Sequence, residues 1–167
     1  MKTIEEQMSF YAAYHQDARN KATHFIGVPA IVLSLLIPLA WLRIDIGGAT
    51  ITAAMVLTAV VLVYYFLLDA PLAIAMLVIL GAMVWVGQQI ADLGTMQGWI
   101  WFAVLFVGGW IVQLIGHIYE GRKPALVDNL FQIFIAPLFL AAELFFALGY
   151  KPRLHAAVQE RALRMRA

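Results

Sequence analysis

This chain of 167 residues has four histidines and no cysteine, so imidazole is its chief metal-ligating side chain. The lack of cysteine excludes disulfides, thiolate nucleophiles and cysteine-held metals. His15 and His24 stand in YHQDARNKATHF (14–25), His117 in GHIYEGRKPALVDN (116–129) and His155 in PRLHAAVQERALRMR (152–166). Neutral imidazole binds iron, zinc and copper, and such metals accept several at once. Four histidines gathered onto one side of a fold are what a polyhistidine metal centre requires. An isolated histidine at a membrane edge is also an ordinary amphipathic anchor, as tyrosines such as Tyr11 and Tyr14 are.

Spacing constrains these groups further. His15 and His24 are nine residues apart, two and a half turns of helix, so on one continuous helix they point to opposite sides. They can share a ligand only if the chain bends between them, which predicts a break near Asn20 with His24 opening a new helix. His117 and Glu120 are three apart and share a helix face, above Gln113. Glu120 can serve as a carboxylate ligand, as a partner holding the His117 ring, or as a base; a salt bridge to Arg122 or Lys123 explains it equally. Those two cations, beside a metal at the mouth of an apolar bundle, can seat a lipid carboxylate, although topology alone also accounts for them. The sequence has no HExxH zinc-protease pattern and no phosphate-binding glycine loop.

The elements that must position these residues are membrane helices. The chain is 63% hydrophobic and 13% charged, with a mean hydropathy of +0.85, where a soluble domain carries about 25% charged residues. Apolar runs at 26–42, 50–68, 71–87, 99–115 and 130–149 each approach the roughly 17–25 residues that cross a bilayer as a helix. A net charge of +1 leaves no footprint for nucleic acid. The first 25 residues are too polar for a cleavable signal peptide. The expectation is one membrane domain over residues 1–167.

Along the chain, residues 3–22 read as an amphipathic helix, with Thr3 and Glu6 placed for a capping box. The first span begins near His24 with Pro29 close to its start. RIDIGG (43–48) reads as a polar turn, and LDAPL (68–72) folds two spans into a hairpin. Gly108 and Gly109 permit close helix approach. The run at 130–149 decides the topology. If it crosses, the basic residues divide five against six; if it enters and returns as a broken hairpin they divide ten against one, as the positive-inside tendency favours. Pro137 and Glu143 within it point the same way. The predicted fold is all-α: a bundle of four transmembrane helices, a re-entrant or fifth helical segment, and an N-terminal amphipathic helix. Both termini are then cytoplasmic, and all four histidines lie on that face.

At this point the residues carry a resemblance. YHQDARNKATHFIGVP (14–29) resembles the YHxxxxNxxxHxxGxP opening of the small multispan family whose yeast member is a 2-hydroxy-fatty-acid dioxygenase of the endoplasmic reticulum. GHIYEGRKPAL (116–126) and APLFLAAELFFALGY (136–150) are similar to its second block. The resemblance spans nearly the whole chain. It implies an Fe(II)-dependent alpha-oxidation in which a 2-hydroxy fatty acid and dioxygen give a fatty acid one carbon shorter. His15, Asn20, His24, Gly27 and Pro29 fall on the first motif, and His117, Glu120, Arg122 and Pro124 on the second; His155 rests on topology alone. The implied site has His15, His24 and His117 as iron ligands, with His155 added from topology, and Glu120 as the catalytic carboxylate; Asn20 and Arg122, with the neighbouring Lys123, are expected on the substrate. A 2-hydroxy acid can chelate iron through its carboxylate and hydroxyl oxygens while its tail lies among membrane lipids and apolar helices. The location is the inner membrane for a bacterial chain and the endoplasmic reticulum for a eukaryotic one.

Two other classes compete. A structural or lipid-binding membrane protein needs no metal and tolerates loss of every histidine. A small transporter places polar residues through the midplane of several spans, and the first four apolar runs are nearly free of them.

Overall fold

The computed structural model describes residues 2–166. The fold is all-α apart from one short hairpin, in the order α1 (Ile4–Ala12), α2 (Ala18–Trp41), β1 (Arg43–Ile46), β2 (Ala49–Thr52), α3 (Ala53–Leu68), α4 (Ala70–Asp92), α5 (Thr95–Glu120), α6 (Ala125–Asp128), α7 (Gln132–Ala147) and α8 (Pro152–Arg164). Two compact units result. One takes the chain up to Phe25 and from Val112 onward; the other is Ile26–Ile111. Among the described residues three helices, α2, α4 and α5, are long and apolar enough to cross a membrane. The fourth expected span is shorter: α3 has 16 residues, about 24 Å of helix, because residues 49–52 join the hairpin instead.

In the unit Ile26–Ile111, local chemistry sets each boundary. Arg43 pairs with Thr52 and Ile46 with Ala49 across the antiparallel hairpin. The turn needs positive φ at both central positions, which Gly47 (+59°) and Gly48 (+85°) supply. Thr52 then caps α3 by accepting from the Met55 amide, and Asp69 caps α4 by accepting from that of Leu72. The turn foreseen at LDAPL is thus a helix cap with Pro71 in the first turn, where its missing N–H costs nothing. Buried Ile37, Ala40 and Ala91 pack with Trp41, Ile90 and Leu105, and the Trp41 indole donates to the Ala91 carbonyl at 3.1 Å. α2 starts at Ala18, six residues before His24, so Pro29 falls in its interior together with Pro38.

The two adjacent glycines of α5 separate cleanly. A Cβ on Gly109 would stand 2.7 Å from Ile31 Cγ1 and 3.0 Å from the Gly27 carbonyl oxygen, whereas one on Gly108 would meet nothing within 4 Å. Overpacking of this kind costs about 1–3 kcal/mol, while glycine to alanine in an open helix position gains up to about 1 kcal/mol. Gly109→Ala is therefore expected to destabilise the protein in detergent unfolding and Gly108→Ala to leave it equal or firmer. Equal midpoints for the two variants would contradict this packing.

In the other unit, Thr3 and Glu6 form the reciprocal capping box at the start of α1, and α1 packs on α7 and α8. Arg161 of α8 reaches Glu5 at 3.6 Å and Glu6 at 3.3 Å. Residues 132–147 form one unbroken helix with Pro137 inside it, rather than the entering and returning hairpin expected from the charge count. Ile135, Leu138, Phe139 and Ala142 of α7 are buried. Gly149 (φ +81°) and Lys151 (φ +50°) turn the chain into α8.

Candidate metal centre

The break expected between His15 and His24 lies at residues 13–17, a few residues ahead of Asn20. α1 closes with a tightened turn in which the Tyr14 and His15 amides donate to the Tyr11 and Ala12 carbonyls. The next two amides, of Gln16 and Asp17, leave the helix ladder and donate to Glu120 Oε2 at 2.9 and 2.8 Å. Asp17 stands just ahead of α2, its carboxylate accepting from the Arg19 amide at 2.8 Å. This reversal brings together the two rings that a continuous helix would separate.

The result is a group of three buried histidines, His15, His24 and His117, whose ligand atoms all lie within 4.8 Å of one another. His15 Nδ1 is 2.7 Å from the Tyr11 carbonyl and His24 Nδ1 is 2.8 Å from the Asn20 carbonyl. A carbonyl can only accept, so both Nδ1 atoms carry hydrogen and donate. In the neutral rings both Nε2 atoms then bear lone pairs, and these face each other at 3.0 Å. Burial, and then the neighbouring His24, hold His15 well below the ordinary histidine range, so a shared proton does not relieve the contact at neutral pH. His117 adds a third ring, whose Nδ1 is buried without a hydrogen-bond partner.

Among the described residues these three imidazoles are a group that could hold a metal ion. Carbonyl partners on the far ring nitrogens are the usual way such ligands are oriented. The donor set suits iron, zinc, copper and nickel alike. Tyr11 stacks on His15 with centroids 4.0 Å apart, and Phe139 stands 6.2 Å away, closing that side with aromatic surface. Gly116 lets α5 approach α2: a Cβ there would lie 2.1 Å from Thr23 Oγ1 and 2.6 Å from Asn20 Oδ1.

The structure does not bring His155 into this group; its ring stacks on Phe146 at 4.7 Å. Glu120 holds the bend beneath the rings, also accepting from Asn20 Nδ2 at 3.1 Å and from the Arg166 guanidinium. Asn20 in addition donates to the Tyr14 carbonyl at 3.2 Å. Lys123 pairs with Asp128 at 2.5 Å, and the other Asp128 oxygen accepts from Tyr14 Oη at 2.6 Å. The Arg122 guanidinium donates to the Arg166 carbonyl at 3.3 Å. Arg166 and Gly116 were missed from sequence. Arg166 carries no local signal, while Gly116 beside a candidate ligand histidine is a legible hint of close approach.

With this geometry in place, comparison with known proteins is informative. Residues 1–148 match the family model described as 2-hydroxy-palmitic acid dioxygenase Mpo1-like. The chain is 34% identical over 172 residues to the 2-hydroxy-palmitic acid dioxygenase of Saccharomyces cerevisiae, covering 97% of this chain and 94% of that protein. No solved structure matches it.

Proposed function

This chain belongs to the Mpo1-like family of 2-hydroxy-palmitic acid dioxygenases, and from that premise we propose that it is an Fe(II)-dependent dioxygenase of 2-hydroxy fatty acids. The observation that carries the reading is the convergence of three unpaired imidazole nitrogens from His15, His24 and His117. The overall change balances as 2-hydroxy acid plus dioxygen giving a fatty acid one carbon shorter, carbon dioxide and water. Bound at the three histidines, iron would supply the redox chemistry between dioxygen and the hydroxy acid.

The protein's share is placement and shielding. Carbonyls of Tyr11 and Asn20 hold His15 and His24 in the tautomer that presents Nε2. Glu120 fixes the bend that makes their meeting possible. Three neutral ligands would leave a divalent ion's charge uncompensated, so a poorly solvated site would draw an anionic substrate toward the group. Tyr11 and Phe139 keep water from the inner side of the rings. The acyl chain finds membrane lipid and exposed apolar helix surface outside, where each buried methylene contributes about 0.8 kcal/mol. The reading places the chain as an integral membrane protein with its histidine group at the cytoplasmic face.

The test is anaerobic loading of the detergent-purified chain with Fe(II), followed by air and 2-hydroxypalmitate. Pentadecanoate and dioxygen consumption in equal amounts are expected, with no product from palmitate and none after chelation. Protein that holds no iron and forms no shorter acid would overturn the proposal.

A further inference from the structure

Arg122 and Lys123, the cations nearest His117 in sequence, are engaged by the Arg166 carbonyl and by Asp128. Arg19 is taken by Asp17 at 2.9 Å and lies over the Tyr119 ring. A different cation is built into the side of the histidine group. Lys21 precedes His24 by three residues on α2, so the two share a helix face one turn apart. Its ammonium donates to Glu143 Oε2 at 2.6 Å. Glu143 in turn follows Phe139 by four residues on α7, and Phe139 is the ring that flanks Tyr11 at 4.7 Å and His15 at 6.2 Å. The pair therefore borders the group from two helices at once. Its side chains are 21% and 13% exposed, so it is less deeply buried than His15 and His24 at 1% and 2%.

The second oxygen of this carboxylate is the telling atom. Glu143 Oε1 is buried and has no hydrogen-bond partner, an arrangement that costs stability unless something else supplies a donor. Lys21 keeps donors in reserve, since an ammonium has three. The pair thus offers a cationic donor for an anion and an acceptor that still lacks a hydrogen. A 2-hydroxy acid carries both complements on adjacent carbons. One turn beyond Lys21 stands exposed Phe25, and one turn beyond Glu143 exposed Ala147, so a head group held at the pair leaves its chain against apolar surface.

We propose that Lys21 and Glu143 form the head-group site for 2-hydroxy fatty acids, Lys21 Nζ receiving the carboxylate and Glu143 Oε1 accepting the hydrogen of the 2-hydroxyl. The choice of ligand rests on the dioxygenase reading; the geometry of the pair does not. Lys21 selects acids over alcohols, and Glu143 selects 2-hydroxy acids over plain ones.

Both selections can be read without turnover. The full chain, loaded with Fe(II) and kept anaerobic, is competed for a fluorescent fatty acid by 2-hydroxypalmitate, palmitate and 1-hexadecanol. A charge-assisted hydrogen bond is worth about 10-fold to 100-fold in affinity. Lys21→Met is expected to weaken both acids at least about tenfold and leave the alcohol unchanged, and Lys21→Arg to restore acid binding. Glu143→Leu is expected to bring 2-hydroxypalmitate down to the affinity of palmitate. Equal loss of acid and alcohol in Lys21→Met, or a surviving hydroxyl preference in Glu143→Leu, overturns the site. Admitting air to the wild-type sample separates the two readings. No shorter acid despite Lys21-dependent binding sinks the dioxygenase and leaves the head-group site standing; turnover with Lys21-independent binding sinks this inference alone.

Discussion

Replacing His24 with alanine is expected to abolish iron retention and turnover together, while His155→Ala keeps both. Loss of a mere supporting hydrogen bond costs about 10–100-fold in metal affinity or activity, and removing one of three ligands exceeds that. His24 is also the residue least able to be replaced by a neighbour. Its Nε2 faces that of His15 at 3.0 Å, and the other ionisable side chains near it already have work: Lys21 is paired with Glu143 and Glu120 is occupied by the bend. His155, stacked on Phe146, loses an aromatic contact on truncation and nothing else that bears on the group. Metal content by elemental analysis and product by mass spectrometry read the result. Stoichiometric iron and unimpaired turnover in His24→Ala would sink the three-histidine site.

Much of the scaffold is legible in the sequence because long apolar runs can only be helices in lipid. The hairpin at 43–52 was missed for a local reason: Ile44, Ile46 and Ile51 alternate with polar residues, but the second strand merges into the apolar run of α3. Reading 50–68 as one span absorbed it and lengthened α3. The run at 130–149 was read through its charges, which weigh topology and say nothing of helix continuity. Pro137 then looked like a break, although α7 carries it without interruption.

The site divides similarly. A nine-residue spacing demands a bend if two histidines are to meet, and that is a statement any helix obeys. The position of the bend is set by Glu120, more than a hundred residues from the amides it captures, so no local signal marks it. Arg122 and Lys123 looked available because sequence showed their charge beside His117 and hid the partners that take it. Lys21 stands three residues from His24 in the sequence, but only the pairing with Glu143 gives it a direction.

Glu120→Ala is expected to cost about 3–5 kcal/mol of stability, the range for breaking a buried ion pair from one side. The Glu120 side chain is 1% exposed and its charge has no water to lean on. It is also the last residue of α5, where the helix dipole disfavours an anion. Its compensation comes from elsewhere: the Gln16 and Asp17 amides just ahead of α2, the Asn20 side chain, and the Arg166 guanidinium. The start of α2 is the end of a helix that welcomes negative charge, so the same carboxylate that is misplaced on its own helix is well placed on the next. Deleting it strands two amides and an arginine beside the histidines and frees residues 13–17 to straighten, which would part His15 from His24. Glu120→Gln keeps an acceptor and loses the charge, so an intermediate loss is expected. Unfolding in mixed detergent, followed alongside iron content, reads both effects. Stability within about 1 kcal/mol of wild type, the scale of a surface pair, would show that the bend holds without Glu120 and that its carboxylate is free for other work.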